Sequence, residues 1–236
     1  MKTVILAGGK GTRLYPYTVS FPKPLVPIGD MPIIEIMLRQ LRAAGTREVT
    51  ISTGHLAELM MAYLGDGSKL GVRIQYVREE KPLGTVGPLQ LMEDLPDNFL
   101  LMNGDVLTDL DYAALFEAHV KSGALVSISS YRKKVPIDLG VLISENGRVV
   151  DYLEKPTYTY DVSMGVYVLN KAVLQHIPRD QYFDFPSLIK TLLAKGNLVR
   201  TVPFDGIWLD IGRPADYAEA QETFGALRAK ILPERA

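Results

Sequence analysis

Thr3-Val4-Ile5-Leu6-Ala7-Gly8-Gly9-Lys10-Gly11-Thr12-Arg13-Leu14 is the stretch on which the fold turns. Thr3–Leu6 is a β-rich, largely apolar run of buried-strand length, and it leads straight into a glycine-rich loop. Open α/β sheets are built this way, and their ligands bind at the carboxyl ends of the strands. Glycines at such a place let the backbone approach a phosphate closely, and their exposed N–H groups form an anion nest. Arg13 adds a planar fork of donors shaped for phosphate oxygens. Read alone, a plain glycine-rich turn with a surface arginine explains the stretch equally well. Two common phosphate motifs do not fit. The dinucleotide fingerprint G-x-G-x-x-G lacks its third glycine at Leu14, and no G-x-x-x-x-G-K-[ST] run exists anywhere in the chain.

The pattern continues outward from this loop. Ile34, Met37, Leu38 and Leu41 fall at helical spacing, and Gly45 supplies a stop. Val49–Ser52 reads as a strand, Leu56–Leu64 as a helix, Val72–Val77 as a strand, Val86–Leu95 as a helix and Phe99–Met102 as a buried strand. Strand and helix alternating with short connections imply a mostly parallel sheet covered on both faces. The rhythm changes after a helix at Tyr112–Ser122. Leu125–Tyr131, Leu139–Ile143, Val149–Leu153 and Val162–Leu169 are strands with little helix between them, and Glu145-Asn146-Gly147 signals a hairpin. That stretch is expected to be antiparallel or mixed. Helices return at Lys171–Ile177, Pro186–Ala194 and Pro214–Lys230, and a frayed tail is expected over Ile231–Ala236. The expected fold is α/β, a Rossmann-like sandwich with a mostly parallel, mixed central sheet flanked by helices, in one domain over residues 1–236.

Composition narrows the function. The chain has 236 residues, 47% of them hydrophobic, which supports a sizeable core and excludes a disordered chain. Lys and Arg number 26 against 27 Asp and Glu, a net charge of −1. No global basic field exists to hold nucleic acid or an acidic membrane. There is no cysteine, so disulfides, thiolate metal sites and cysteine nucleophiles are excluded. The three histidines, His55, His119 and His176, are dispersed, which argues against a three-histidine zinc site. The N-terminal apolar run is too short for a signal peptide, and no apolar stretch reaches membrane-spanning length. A soluble, cytoplasmic protein with no nucleic-acid or membrane partner is expected.

Phe21-Pro22-Lys23-Pro24-Leu25 follows the glycine loop, and its prolines are expected to hold Lys23 in extended backbone. A pinned lysine there is a second phosphate contact or a solvated loop residue. Asp105 follows the strand Phe99–Met102 toward the same crevice, and Asp210 ends a short strand through Trp208. Two carboxylates at strand ends suit a hard cation such as Mg²⁺. Read alone, each is as well a turn or capping residue, with Asp109 and Asp111 as rival caps beside Asp105. Glu154 and Lys155 end another strand, as a sugar and phosphate contact or a surface ion pair. Gly140 and Gly165 sit within predicted strands, where a close-packed ligand or a bulge would explain them.

These segments together resemble the sugar-1-phosphate nucleotidyltransferases. The resemblance rests on G-G-K-G-T-R-L and P-K-P-L-V-P-I, then on Pro82-Leu83-Gly84-Thr85, Asn103-Gly104-Asp105-Val106, Glu154-Lys155-Pro156, Met164-Gly165-Val166-Tyr167 and Trp208-Leu209-Asp210-Ile211-Gly212, in order along essentially the whole chain. It implies a Mg²⁺ requirement and release of pyrophosphate, with an NTP and a sugar 1-phosphate as substrates; a homodimer is left open. It implies catalytic roles for Arg13, Lys23 and Asp105, and Mg²⁺ ligation by Asp105 and Asp210. It implies nucleotide binding by Leu6, Ala7, Gly8, Gly9, Gly11, Thr12, Arg13, Glu79, Pro82, Gly84 and Thr85. Gly140, Glu154, Lys155 and Gly165 are implied contacts of the sugar phosphate. The attacking phosphate oxygen is already anionic, so the reaction needs alignment and charge neutralisation rather than a general base.

Glu79 and Glu80 precede the Pro82–Thr85 segment, which faces the base in this family. A carboxylate complements the N1–H and N2–H donors of guanine, whereas Gln suits uracil or thymine. GTP is therefore the expected nucleotide, with UTP, CTP or dTTP as alternatives. Gly84-Thr85-Val86-Gly87-Pro88-Leu89 looks most like the mannose- or heptose-1-phosphate guanylyltransferases. Ser163 and Met164 depart from a commoner Asn and Ala. The appended hexapeptide-repeat domain of bifunctional relatives is not seen, so no acetyltransferase activity is expected. A catalytically silent nucleotide-sugar-binding homologue is disfavoured by the intact Arg13, Lys23, Asp105 and Asp210. The Gly8–Arg13 loop disfavours a glycosyltransferase.

Overall fold

A computed structural model describes residues 1–232. β1 (Lys2–Ala7) enters the glycine loop, and two short strands follow, β2 (Pro27–Ile28) and β3 (Met31–Pro32). The alternating half comprises α1 (Ile33–Ala43), β4 (Glu48–Thr53), α2 (Ala57–Leu64), β5 (Arg73–Arg78), β6 (Asn98–Asn103), β7 (Val106–Thr108) and α3 (Tyr112–Ser122). The second half comprises β8 (Val126–Pro136), β9 (Val141–Glu145), β10 (Arg148–Leu153), β11 (Thr157–Asn170), α4 (Phe185–Ala194), β12 (Val199–Phe204), β13 (Trp208–Asp210) and α5 (Pro214–Ile231).

Seven strands form one sheet in the order β12-β8-β11-β6-β1-β4-β5. Only β11 runs against the rest, pairing antiparallel with both β6 and β8, while β12 is parallel to β8. The sheet is thus mostly parallel and mixed, as expected. The second half adds no antiparallel sheet of its own beyond the β9–β10 hairpin. Asn146 and Gly147 turn that hairpin with positive φ at both residues, the backbone that Asn-Gly supplies most readily. β1 lies between β4 and β6. The chain therefore walks outward from β1 to β5 and then returns to the other side of β1. That reversal opens a crevice at the carboxyl ends of β1 and β6.

Strand alternation splits the core between the two faces of the sheet. Ile5, Leu100 and Met102 pack on one face with α1, whose Ile33, Ile34, Met37, Leu38 and Leu41 are fully buried. Val4, Phe99 and Leu101 pack on the other with Leu188 and Leu192 of α4. Each such aliphatic side chain contributes about 1.5–3 kcal/mol by leaving water.

Several expectations change. Val86–Leu95 is not an α-helix but a 3₁₀ stretch at Gly87–Leu91. Gly87 and Pro88 are poor helix formers, and the buried Val86, Leu89, Met92 and Leu95 recur every third residue, the period of the tighter helix. Lys171–His176 is likewise 3₁₀. β12 carries Pro203, which hid it as a strand; it is an edge strand, where a missing N–H is tolerated. Ile231 is helical and buried rather than frayed, and residues 233–236 of the expected tail lie outside the described residues. No helix among the described residues is long and apolar enough to cross a membrane.

His119, on α3, is 1% exposed. Its Nδ1 meets Ser127 Oγ at 2.9 Å and its Nε2 meets Asn98 Oδ1 at 3.2 Å. Asn98 Oδ1 is an acceptor, so Nε2 carries a proton; in the neutral ring Nδ1 then accepts from the serine hydroxyl. Burial, reinforced by the Arg200 charge, holds its pKa below the ordinary histidine value. The unfolded chain therefore binds the extra proton first as pH falls. Stability is full above about pH 6.5, the unfolded value, and declines below it. We expect Tm to fall between about pH 7.5 and 5.5, and His119→Gln to flatten that slope in differential scanning calorimetry. An unchanged slope would remove His119 as its source.

Candidate active site

Two clefts meet at the carboxyl edge of the sheet. The first, of about 430 Å³, is lined by Leu6, Ala7, Gly8, Gly9, Gly11, Thr12 and Arg13, by Lys23, by Glu79, Pro82, Gly84 and Thr85, and by Asn103, Gly104 and Asp105. Every residue implied for catalysis or nucleotide binding lines it. The second, of about 400 Å³, holds Asp210 with Tyr131, Lys133, Trp208 and Arg213, and shares Arg13 and Gly212 with the first.

Packing shapes the glycine loop. Gly11 has φ +64°, the left-handed region, and a Cβ there would lie 2.8 Å from Thr18 Cγ2. Thr18 Oγ1 instead donates to Gly11 O at 2.8 Å. A Cβ on Gly8 would collide with Glu79 Oε1 at 2.3 Å, so glycine is what lets the carboxylate of Glu79 lie against the loop. Glu79 Oε1 accepts from Ser52 Oγ at 2.9 Å and Oε2 from Leu83 N at 3.1 Å. Each oxygen keeps a lone pair for a further donor. Glu80 is exposed and does not line the cleft. Of the two glutamates, Glu79 lines the cleft.

Lys23 is not extended. It begins a 3₁₀ turn, Lys23–Leu25, closed by Leu25 N on Pro22 O at 2.8 Å. Pro24 fits there because such a turn does not use its missing N–H. Lys23 is only 12% exposed, and its Nζ is ion-paired with Asp105 Oδ2. Arg13 is exposed and enters none of the ion pairs among the described residues.

Asp105 and Asp210 are brought together by a ladder. β13 pairs antiparallel with β7, placing Asp210 opposite Val106, and Ile211 N donates to Asp105 O at 3.1 Å. Burial pushes the Asp210 pKa up, and the nearby Asp105 charge adds to it against the pull of Lys23 and Arg13. Asp105 Oδ1 is buried with no hydrogen-bond partner. Two mutually repelling carboxylates and one orphaned oxygen fit a divalent cation, and Mg²⁺ is commonly held by one or two carboxylates plus phosphates. Asp111, the rival cap, does cap α3 by accepting from Ala114 N at 2.9 Å, and Asp109 accepts from Ile207 N at 2.6 Å.

The implied sugar-phosphate residues do not converge in the same way. Gly165 has φ +76° at a β-bulge in β11 and packs on Asn103, a wall of the first cleft. Gly140 lies just before β9 rather than within a strand, and Tyr152 Oη occupies the place of its Cβ. Glu154 and Lys155 are exposed on the turn after β10, and Glu154 Oε2 accepts from Tyr152 Oη at 3.0 Å. Gly140, Glu154, Lys155 and Gly165 all line neither cleft. Sequence reasoning passed over Asn103, although it stands inside a quoted motif, and Tyr182, Tyr131 and Lys133, which carry no local signal.

The family described as Nucleotidyl transferase matches residues 2–226 by its sequence profile. This chain belongs to the nucleotidyl transferase family. It is 37% identical to mannose-1-phosphate guanylyltransferase 1 of Arabidopsis thaliana over 92% of its own length and 63% of the relative's. It is 34% identical to a UTP–glucose-1-phosphate uridylyltransferase of Synechocystis over 93% and 62%. The chain thus spans less than two thirds of the length of these curated relatives. Among solved structures, HddC from Yersinia pseudotuberculosis complexed with GMP-PN matches with TM-score 0.72 and 26% identity over 94% of this chain and 99% of that one.

Proposed function

We propose that this chain is a Mg²⁺-dependent sugar-1-phosphate nucleotidyltransferase that prefers GTP. The observation that carries the proposal is the convergence of the Gly8–Arg13 loop, Lys23, Asp105 and Glu79 in one cleft at the β1/β6 reversal. In the proposed reaction a phosphate oxygen of the sugar 1-phosphate attacks the α-phosphorus of the NTP. The bond from that phosphorus to the oxygen bridging to the β-phosphate breaks, giving an NDP-sugar and pyrophosphate. Backbone N–H groups of the loop and the Arg13 guanidinium hold the triphosphate and meet the charge that builds on the leaving group. Lys23 neutralises phosphate oxygens from the cleft floor. Asp105 and Asp210 would hold Mg²⁺, whose contribution when bound is further charge neutralisation. The sugar phosphate enters from the side where Gly165 packs on Asn103.

Glu79 supports guanine. Its carboxylate is oriented by Ser52 and Leu83 N and retains acceptor capacity for the adjacent N1–H and N2–H. The GMP-PN complex of HddC and the guanylyltransferase relative support the same base. The uridylyltransferase relative makes UTP the competing nucleotide. The test is a pyrophosphate-release screen of each NTP against a panel of sugar 1-phosphates. GTP should give the highest kcat/KM, with inosine triphosphate between GTP and ATP. Glu79→Gln should lower the GTP preference by about tenfold or more, because it puts a donor where an acceptor is needed; Glu80→Gln should not. A wild-type preference for UTP would defeat the guanine assignment but not nucleotidyl transfer. No pyrophosphate from any pair would defeat both.

A further inference from the structure

The base end of the first cleft has one wall with no counterpart in the local motifs. Tyr182 lines this cleft beside Pro82, Gly84 and Thr85 while remaining 66% exposed. Its ring enters none of the aromatic pairs among the described residues. An apolar ring left in water at the mouth of a cleft has a free face to offer a ligand.

The backbone beside the ring is firmly placed. Its neighbour Phe183 clamps the Leu83–Gly87 segment: Phe183 N donates to Leu83 O at 2.8 Å, and Phe183 O accepts from Val86 N at 3.2 Å and Gly87 N at 3.1 Å. Thr85 Oγ1 accepts from Phe185 N at 2.6 Å. Lys81 and Asp180 close the same two segments with an ion pair at 2.7 Å. Gly84, at φ +80°, permits this approach, because a Cβ there would lie 2.6 Å from Phe183 O. The segment carrying Tyr182 and the segment below Glu79 are therefore one mechanical unit. A backbone held this way loses little further freedom on binding.

We propose that Tyr182 is a nucleobase-binding residue whose ring stacks on the face of the base while Glu79 meets its edge. The inference rests on the nucleotidyl-transfer reading and adds a contact that acts on any base, since every base has a π-face. It separates affinity, supplied by stacking, from choice of base, supplied by the carboxylate.

The test is isothermal titration calorimetry with Mg²⁺ present, using GTP and inorganic triphosphate as probes. Wild type, Tyr182→Ala and Tyr182→Phe are compared. Tyr182→Ala should raise the Kd for GTP by roughly ten- to a hundredfold and leave the Kd for triphosphate unchanged. Tyr182→Phe should bind GTP like wild type. In turnover, Tyr182→Ala should raise KM for GTP and preserve kcat at saturation. The inference is overturned if Tyr182→Ala binds GTP normally, if GTP and triphosphate weaken by the same factor, or if Tyr182→Phe is as weak as the alanine variant. Wild-type protein that binds triphosphate but no NTP also overturns it. Binding of neither defeats the nucleotidyl-transfer reading itself, a result distinct from an indifferent variant.

Discussion

Arg13→Ala is expected to lower kcat by about 100- to 1000-fold, the usual loss when one preorganised donor to transition-state charge is removed. The expectation comes from where Arg13 stands. It is the cationic side chain that lines both clefts, so it borders the cleft of the glycine loop on one side and Asp210 on the other. It is exposed and forms no ion pair among the described residues, so its positive charge is available to a polyanion. For the same reason its loss should hardly affect folding. Exposed substitutions away from special features stay within about 0.5 kcal/mol, a shift of roughly 1–2 °C in Tm for a chain of this size. Arg13→Lys should fall between, since it keeps the charge but not the planar fork. The measurements are steady-state pyrophosphate release and a thermal melt on the same preparations. A folded Arg13→Ala protein with near-normal kcat would remove Arg13 from the site.

The second large effect concerns the paired carboxylates. Asp105→Asn and Asp210→Asn should each reduce turnover by more than the roughly 10- to 100-fold typical of losing a metal ligand's outer-shell partner. Each should also raise the Mg²⁺ concentration needed. Combined, the two should cost less than the product of the single effects, because they act through one ion. Stability should separate them. Asp105 balances Lys23, which is only 12% exposed. Its neutralisation leaves a largely buried ammonium unpaired, so Asp105→Asn should lower Tm. Asp210 is held partly against its own charge by burial and by Asp105. Asp210→Asn should therefore raise Tm in metal-free buffer. Wild type should gain Tm on adding Mg²⁺, and both variants should gain less. Equal Mg²⁺ responses in all three proteins would rule out a shared cation site.

The residues that line the first cleft were legible because they lie in short runs. Gly8 to Arg13 are consecutive, Pro82 to Thr85 nearly so, and the strand before each determines which edge they occupy. The residues implied for the sugar phosphate are not gathered in either cleft. Glu154 and Lys155 share a motif, yet their turn follows the β9–β10 hairpin, which lies outside the main sheet. The backbone at Gly140 lies against the Tyr152 hydroxyl. A glycine records that something comes close to the backbone, not what it is.

Local chemistry along the chain was sufficient for the layered α/β fold and the carboxyl-edge location of the glycine loop. These depend on hydrophobic period, backbone freedom and charge, all carried by neighbouring residues. The choice of Glu79 over Glu80, the pairing of Lys23 with Asp105, the meeting of Asp105 with Asp210 and the place of Tyr182 belong to the tertiary structure. Each is a contact between segments far apart in sequence. The β7–β13 ladder brings the two aspartates together, and the Phe183 clamp ties the segment carrying Tyr182 to Leu83–Gly87. Which distant segments meet is decided by strand register and core packing, and no local pattern encodes that distance.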